Sequence, residues 1–338
     1  MKKTLINFLR FCGRTGLVII PFIILVSCSE DFNVNAPYEN EYVLNCILRN
    51  DSDIQYAVIS QNKITENGIA PTTNITEQYI QGADIKIFYN DSVFVMRDTT
   101  ILLNDSGNFI PVNCYYTKKL MIAPDKVITI SATLLDGRII KSTVKVPQIA
   151  FSDFSTIFPQ AFQSGYATIP NYDWSWVGDG EEVTDIINLP QLVIYYKKSE
   201  GGKYISKSIT VPLVLYYVSD EQGNLSPVYV DFSFDTFCST SLKEVNSAMQ
   251  EISGDDPYKG NYIINKVCFN VISLDPDLSR FYSAYKTYSA DFTIKLRQTD
   301  YSNIEGGRGI FGAYYIFSQE LSINSDYITS FGYKYDPN

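Results

Sequence analysis

The sequence contains no histidine, and only 4 methionines and 2 tryptophans among 338 residues. Without histidine there is no Ser-His-Asp or Cys-His nucleophile, no HExxH zinc site and no imidazole pH switch. Positive charge is scarce as well. The chain has 27 Lys and Arg against 37 Asp and Glu, a formal charge of -10 and a pI near 4.6. That balance argues against nucleic acid or an anionic membrane surface as a partner. What remains is abundant: 45% of residues are hydrophobic and 14% aromatic, with 26 Tyr and 20 Phe. Such a chain is too apolar to be disordered and long enough for about two domains.

Residues 1–27 read as a signal peptide. Lys2, Lys3, Arg10 and Arg14 precede an apolar run, Thr15 to Ser27, that is too short to span a bilayer. The run ends Leu25-Val26-Ser27-Cys28, which resembles the lipobox of bacterial lipoproteins and implies lipidation at Cys28. Ser29, Glu30 and Asp31 follow, resembling the surface-export signal of Bacteroidota lipoproteins. The implied location is the outer membrane, reached through a lipid anchor and exposed at the cell surface. Removing residues 1–27 takes away four positive charges and no negative ones, so the exported part carries -14. Cys46, Cys114, Cys238 and Cys268 remain, and three pairings are open to them. One bridge per half, Cys46 with Cys114 and Cys238 with Cys268, is the simplest pairing, and four buried thiols are the alternative.

The rest reads as mainly β. After a lipidated tether over 28–40, residues 41–148 give seven or eight short alternating runs, among them Val127–Leu135 and Arg138–Val146, separated by turns such as Asp136-Gly137. That pattern predicts an N-terminal Ig-like β-sandwich closed by Pro147. Residues 149–338 predict a second β-sandwich-like domain with two inserted helices. One spans 239–252, with Ser239 as cap. The other spans 275–288 and opens Asp-Pro.

Two segments carry a family resemblance. Gly82-Ala83-Asp84-Ile85-Lys86-Ile87 and the run Asn303, Ile304, Gly306, Gly307, Gly309, Ile310, Phe311, Gly312 resemble the signatures of a Bacteroidota surface lipoprotein family, domain of unknown function 4249. The resemblance implies an accessory of a TonB-dependent transporter and assigns no catalytic residue. Residues 307–312 also spell GxGxxG, but β-type residues follow where a dinucleotide site needs a helix, so Gly306, Gly307, Gly309 and Gly312 are expected to be structural, with Phe311 in the core. No cofactor, metal site or catalytic residue is expected. Trp174, Trp176 and Tyr314 are the candidate ligand aromatics, for a glycan or a peptide.

The function these observations predict is a non-enzymatic accessory or ligand-capture lipoprotein of a TonB-dependent uptake system. One alternative is a carboxylate-based glycoside hydrolase drawing on Asp173, Asp179, Glu181, Glu182, Asp185, Asp255 and Asp256. The other is an adhesion or fimbrial-type structural lipoprotein, which requires a sheet edge open to strand addition.

Overall fold

The computed structural model describes residues 41–62, 64–65, 68–69, 79–105, 108–154, 157–158, 171–178, 185–284 and 301–337. The protein is mainly β. In chain order the strands are β1 (Glu41–Arg49), β2 (Gln55–Asn62), β3 (Ile64–Thr65), β4 (Gly68–Ile69), β5 (Asp84–Tyr89), β6 (Ser92–Val95), β7 (Arg97–Asp105), β8 (Asn108–Thr117), β9 (Val127–Thr133) and β10 (Ile139–Lys145). They continue as β11 (Ile149–Phe154), β12 (Ile157–Phe158), β13 (Asn171–Gly178), β14 (Asn188–Glu200), β15 (Lys203–Val211), β16 (Val214–Ser219), β17 (Leu225–Tyr229), β18 (Phe237–Ser241), β19 (Tyr262–Leu274), β20 (Arg308–Ile323) and β21 (Lys334–Tyr335). The α-helices are α1 (Leu242–Ser253), α2 (Pro276–Ala284) and α3 (Ser325–Ser330).

One large sheet organises the molecule, in the order β15-β14-β19-β20-β1-β2-β8-β7. Its centre joins the two ends of the chain. β1 lies antiparallel to β2 and parallel to β20, with Val43 opposite Arg308 and Arg49 opposite Tyr314. A four-stranded sheet (β10-β9-β5-β6) covers one end of it, and a five-stranded sheet (β11-β13-β18-β16-β17) covers the other.

Alternation builds both cores, because successive side chains of a strand point to opposite faces. In the first core Leu44, Cys46 and Leu48 of β1 meet Ile85 and Ile87 of β5, Ile128 and Ile130 of β9, and Ile140 and Val144 of β10. In the second, Trp174 and Trp176 of β13 pack on Phe269 of β19, beside Val245, Met249 and Ile252 of α1. The Trp174 and Phe269 rings stack at 4.9 Å, an arrangement that contributes about 0.5–1.5 kcal/mol beyond the buried area. Strand β20 belongs to both cores. Its odd-numbered residues Phe311 and Ala313 enter the first, and Phe317, Leu321 and Ile323 enter or border the second. The two smaller sheets therefore sit on the same face of the large one. On the opposite face, Ile310 and Tyr314 pack with Leu274 beneath α2.

The ranges 41–148 and 149–338, expected as successive domains, share this sheet, and residues 41–338 form one compact unit. The helices fall near their expected places with altered starts. Ser239 lies inside β18, and Ser241 is the cap of α1, its hydroxyl accepting from the Lys243 amide and bonded to Glu244. The second helix is described as Pro276–Ala284, and residues 285–288 lie outside the described residues.

The simplest disulfide pairing is corrected: all four cysteines are free and buried. Cys46 faces the first core, whereas Cys114 sits beside Tyr115, which points into that core, and so faces away. Cys238 faces the second core, and Cys268 lies between Val267 and Phe269, which do, on the opposite face. Burial raises all four thiols, Cys46 to about 12 and Cys114 to about 11.

Candidate functional site

The glycine-rich signature and the Asp-Pro helix start, 28 residues or more apart in sequence, meet at one place. Asp275 is 1% exposed, and its carboxylate caps α2, with Oδ1 accepting from the amides of Asp277 at 2.8 Å and Leu278 at 3.1 Å. Its Oδ2 accepts from the Ala313 amide of β20 at 2.5 Å. The Asp275 amide in turn donates to the Ala313 carbonyl at 2.9 Å. Burial pushes this carboxyl up to about 7, against the pull of those backbone donors, which favour the ionised form. Gly312 makes the approach possible, since a Cβ there would stand 3.0 Å from the Leu278 Cβ and 3.1 Å from Asp275 Oδ2.

Asn303 closes the arrangement. Its side chain accepts from the Phe311 amide at 2.9 Å, donates to the Phe311 carbonyl at 2.7 Å, and donates to Asp277 at 3.2 Å. Gly309, at φ +111, runs against β1, where a Cβ would collide with the carbonyl oxygen of Leu44. Gly306 and Gly307 lie less tightly against the backbone of Ile139 and Tyr42, where a Cβ would stand 2.7 and 2.8 Å from the carbonyl oxygens. Phe311 is fully buried in the first core. The signature thus seats β20 between β1 and α2. The GxGxxG run enters a strand of 16 residues rather than a helix, and its amides at Ile310 and Phe311 donate to the Asn45 and Asn303 side chains, so the run is not a phosphate cradle.

The aromatic expectation needs correction at two of its three positions. Trp174 and Trp176 are 0% and 1% exposed, consumed by packing on Phe269, and offer no ring face at the surface. Tyr314 is partly exposed. Its ring lies under the Arg49 guanidinium at 5.8 Å, and its hydroxyl faces Asp51, to which Arg49 is ion-paired. Burial, with Asp51 adding to it, raises the Tyr314 phenol to about 12.

Exposed aromatics occur elsewhere, on the β16–β17 hairpin. Tyr216, Tyr217, Val218, Leu225 and Tyr229 are all between 45% and 67% exposed. Tyr216 stands opposite Val228, and Tyr217 opposite Pro227. The neighbours point to opposite faces, so the hairpin presents rings on both. Its turn is held by Asp220, whose carboxylate accepts from the amides of Gln222 at 2.9 Å and Asn224 at 2.7 Å. Those bonds, with the Asn224 side chain first among them, hold the Asp220 carboxyl below its ordinary range. A rigid turn and paired strands pre-set the rings, which lowers the entropy lost when a ligand stacks on them. The tyrosine pair at 216–217 was visible in the sequence, but nothing local distinguished it from the core pair of tryptophans.

The acids considered for hydrolysis divide. Asp173 is exposed on β13, and Asp185 is ion-paired with Arg280 at 3.1 Å. Asp256 accepts from the Tyr258 amide and the Tyr262 hydroxyl, which lower it and keep it ionised, unsuited to a general acid. Asp255 is exposed, and Asp179, Glu181 and Glu182 lie outside the described residues. Cys28, Ser29, Glu30 and Asp31 lie outside them too. Among the described residues no three His, Cys, Asp or Glu side chains are placed to hold a metal ion, and no helix is long and apolar enough to cross a membrane.

No family model matches the chain, and no curated protein matches it.

Proposed function

We propose that this chain is a surface-exposed outer-membrane lipoprotein, anchored through Cys28, that serves as a non-enzymatic accessory or ligand-capture component of a TonB-dependent uptake system. In this reading the sandwich that β1, β5, β9 and β10 build with β20 is Ig-like. The anchor rests on the charged and apolar order of residues 1–28 and on the acidic residues after it. The observation that carries the capture role is the exposed, turn-braced aromatic hairpin β16–β17, since Tyr faces are suited to sugar rings and to peptide. Asp220 and Glu221 at its tip favour a neutral ligand over an anionic one.

The test has two arms. Pull-down of the full chain in mild detergent is expected to recover an outer-membrane transporter, and recovery of none sinks the accessory role. Neutral glycans and peptides are then titrated against the parent chain and a Tyr216→Ala, Tyr217→Ala double variant. Binding lost in the variant supports capture, and binding equal in both removes the hairpin from it. The adhesion-type alternative is favoured by one observation, that among the described residues β7 has no strand paired on its outer side.

A further inference from the structure

An unpaired sheet edge is a template for another strand, and proteins blunt such edges with lysine, proline, bulges or brevity. Among the described residues the end strands of the three larger sheets are β15, β7, β10, β6, β11 and β17. Five of them are blunted. β15 carries Lys203 and Lys207, β10 carries Lys141 and Lys145, β6 has four residues, β11 is bulged between Phe151 and Asp153, and β17 contains Pro227. β7 has none of these devices. It runs nine residues, Arg97–Asp105, in unbroken register with β8, and has no lysine and no proline. Its exposed face is apolar for its position. Leu102 is 66% exposed and stands opposite the exposed Pro111, and Phe109, 67% exposed, lies next along the same face of β8.

We infer that β7 is the contact through which two copies of this chain pair edge to edge, antiparallel, about a two-fold axis through Ile101. The strand is complementary to itself in that register. With Ile101 opposite itself, Thr100 falls opposite Leu102 of the second copy, Thr99 opposite Leu103, and Arg97 opposite Asp105. Opposite charges thus fall at facing register positions at both rims, and apolar or hydroxyl residues face each other in the middle. Arg97 is exposed, and among the described residues it has no ion-pair partner within its own chain. The same operation fails at β15, where the centre of the strand would set Lys207 against itself. Leu102, Pro111 and Phe109 from each copy would come to lie along one continuous face, covering surface that is otherwise wet.

Sedimentation velocity of the full chain in mild detergent tests this. The parent chain is expected to dimerise with rising concentration, and Leu102→Lys, at an exposed site, to remain monomeric with unchanged far-UV circular dichroism. Arg97→Asp removes both symmetry-related pairs and is expected to weaken the dimer by about two- to thirtyfold, as two exposed ion pairs should, and adding Asp105→Arg restores it. Ile101→Cys, against the parent chain as background, cross-links to a dimer on oxidation, because residue 101 meets itself. A parent chain that stays monomeric, a dimer indifferent to Leu102→Lys, an Ile101→Cys chain that does not cross-link, or an edge that captures only a strand of another protein would each overturn the inference.

Discussion

Asp275 collects backbone donors from two elements on a single carboxylate, and its replacement is expected to be costly. Asp275→Ala removes a helix cap, worth about 0.5–2 kcal/mol, and leaves the buried Ala313 amide without its acceptor, worth about 1–3 kcal/mol. Denaturant titration should show a loss of about 1.5–5 kcal/mol, the range those two effects span together. The pH dependence has a definite sign. Because burial raises the folded-state carboxyl to about 7 from 3.8, the folded state holds the proton more tightly than the unfolded one. Stability from this group is therefore fullest below about pH 4 and declines as pH rises towards 7. The stability advantage of the parent over Asp275→Asn should accordingly shrink across that window, and an advantage growing with pH would contradict this account. Gly309→Ala is expected to prevent folding, as a loss above about 3 kcal/mol, because a Cβ meets the Leu44 carbonyl while φ stays at +111. Circular dichroism and soluble yield report it. The glycines of 306–312 were legible as structural, since β-type residues followed them. Asp275 was legible only as a helix start, because its second partner, Ala313, is 38 residues away and nothing local announces it.

Strands and helices were read well where periodicity was strong, and their ends less well. VITISAT and IIKSTVK became β9 and β10 with buried and exposed residues in turn, although Ser142 takes a buried position and Val127 and Ile139 take exposed ones. Asp136-Gly137 was expected as a two-residue turn. Instead Gly137 takes φ 84 in a longer turn, and Asn90 and Asp91, both at positive φ, make the tight turn between β5 and β6. The capping serine of α1 moved from 239 to 241 because Ser239 and Thr240 are drawn into pairing with β13. Ser241→Ala should cost about 1 kcal/mol in thermal unfolding, the usual worth of a lost helix cap. The Tyr216→Ala, Tyr217→Ala pair should change stability by only about 0.5 kcal/mol per site, since both rings are exposed. A larger loss would mark the hairpin as core.

The share of the fold hidden from the sequence was the order of strands. No local pattern says that residue 43 lies beside residue 308, and the expectation of two successive domains followed from reading blocks along the chain. With β20 supplying Phe311 and Ala313 to one core and Leu321 to the other, the molecule is expected to unfold in one transition. Both tryptophans belong to the second core, so their fluorescence and far-UV circular dichroism should change together, and separated midpoints would show independent parts. A chain ending at residue 148 should fail to form the first sandwich, because β1 then lacks its parallel neighbour and the core lacks Phe311 and Ala313. Dye binding to exposed apolar surface would detect this.

The central place of β1 bears finally on how the molecule carries load. A protein held by its N-terminus in moving fluid is pulled from Glu41 along the axis of β1. That strand is bonded on one side from Glu41 to Cys46 and on the other from Val43 to Arg49. Tension along it shears both rows of bonds at once, whereas a strand at a sheet edge would peel away one bond at a time. Were the chain moored through its N-terminus as proposed, β1 would act as a mechanical clamp that holds the protein folded under drag.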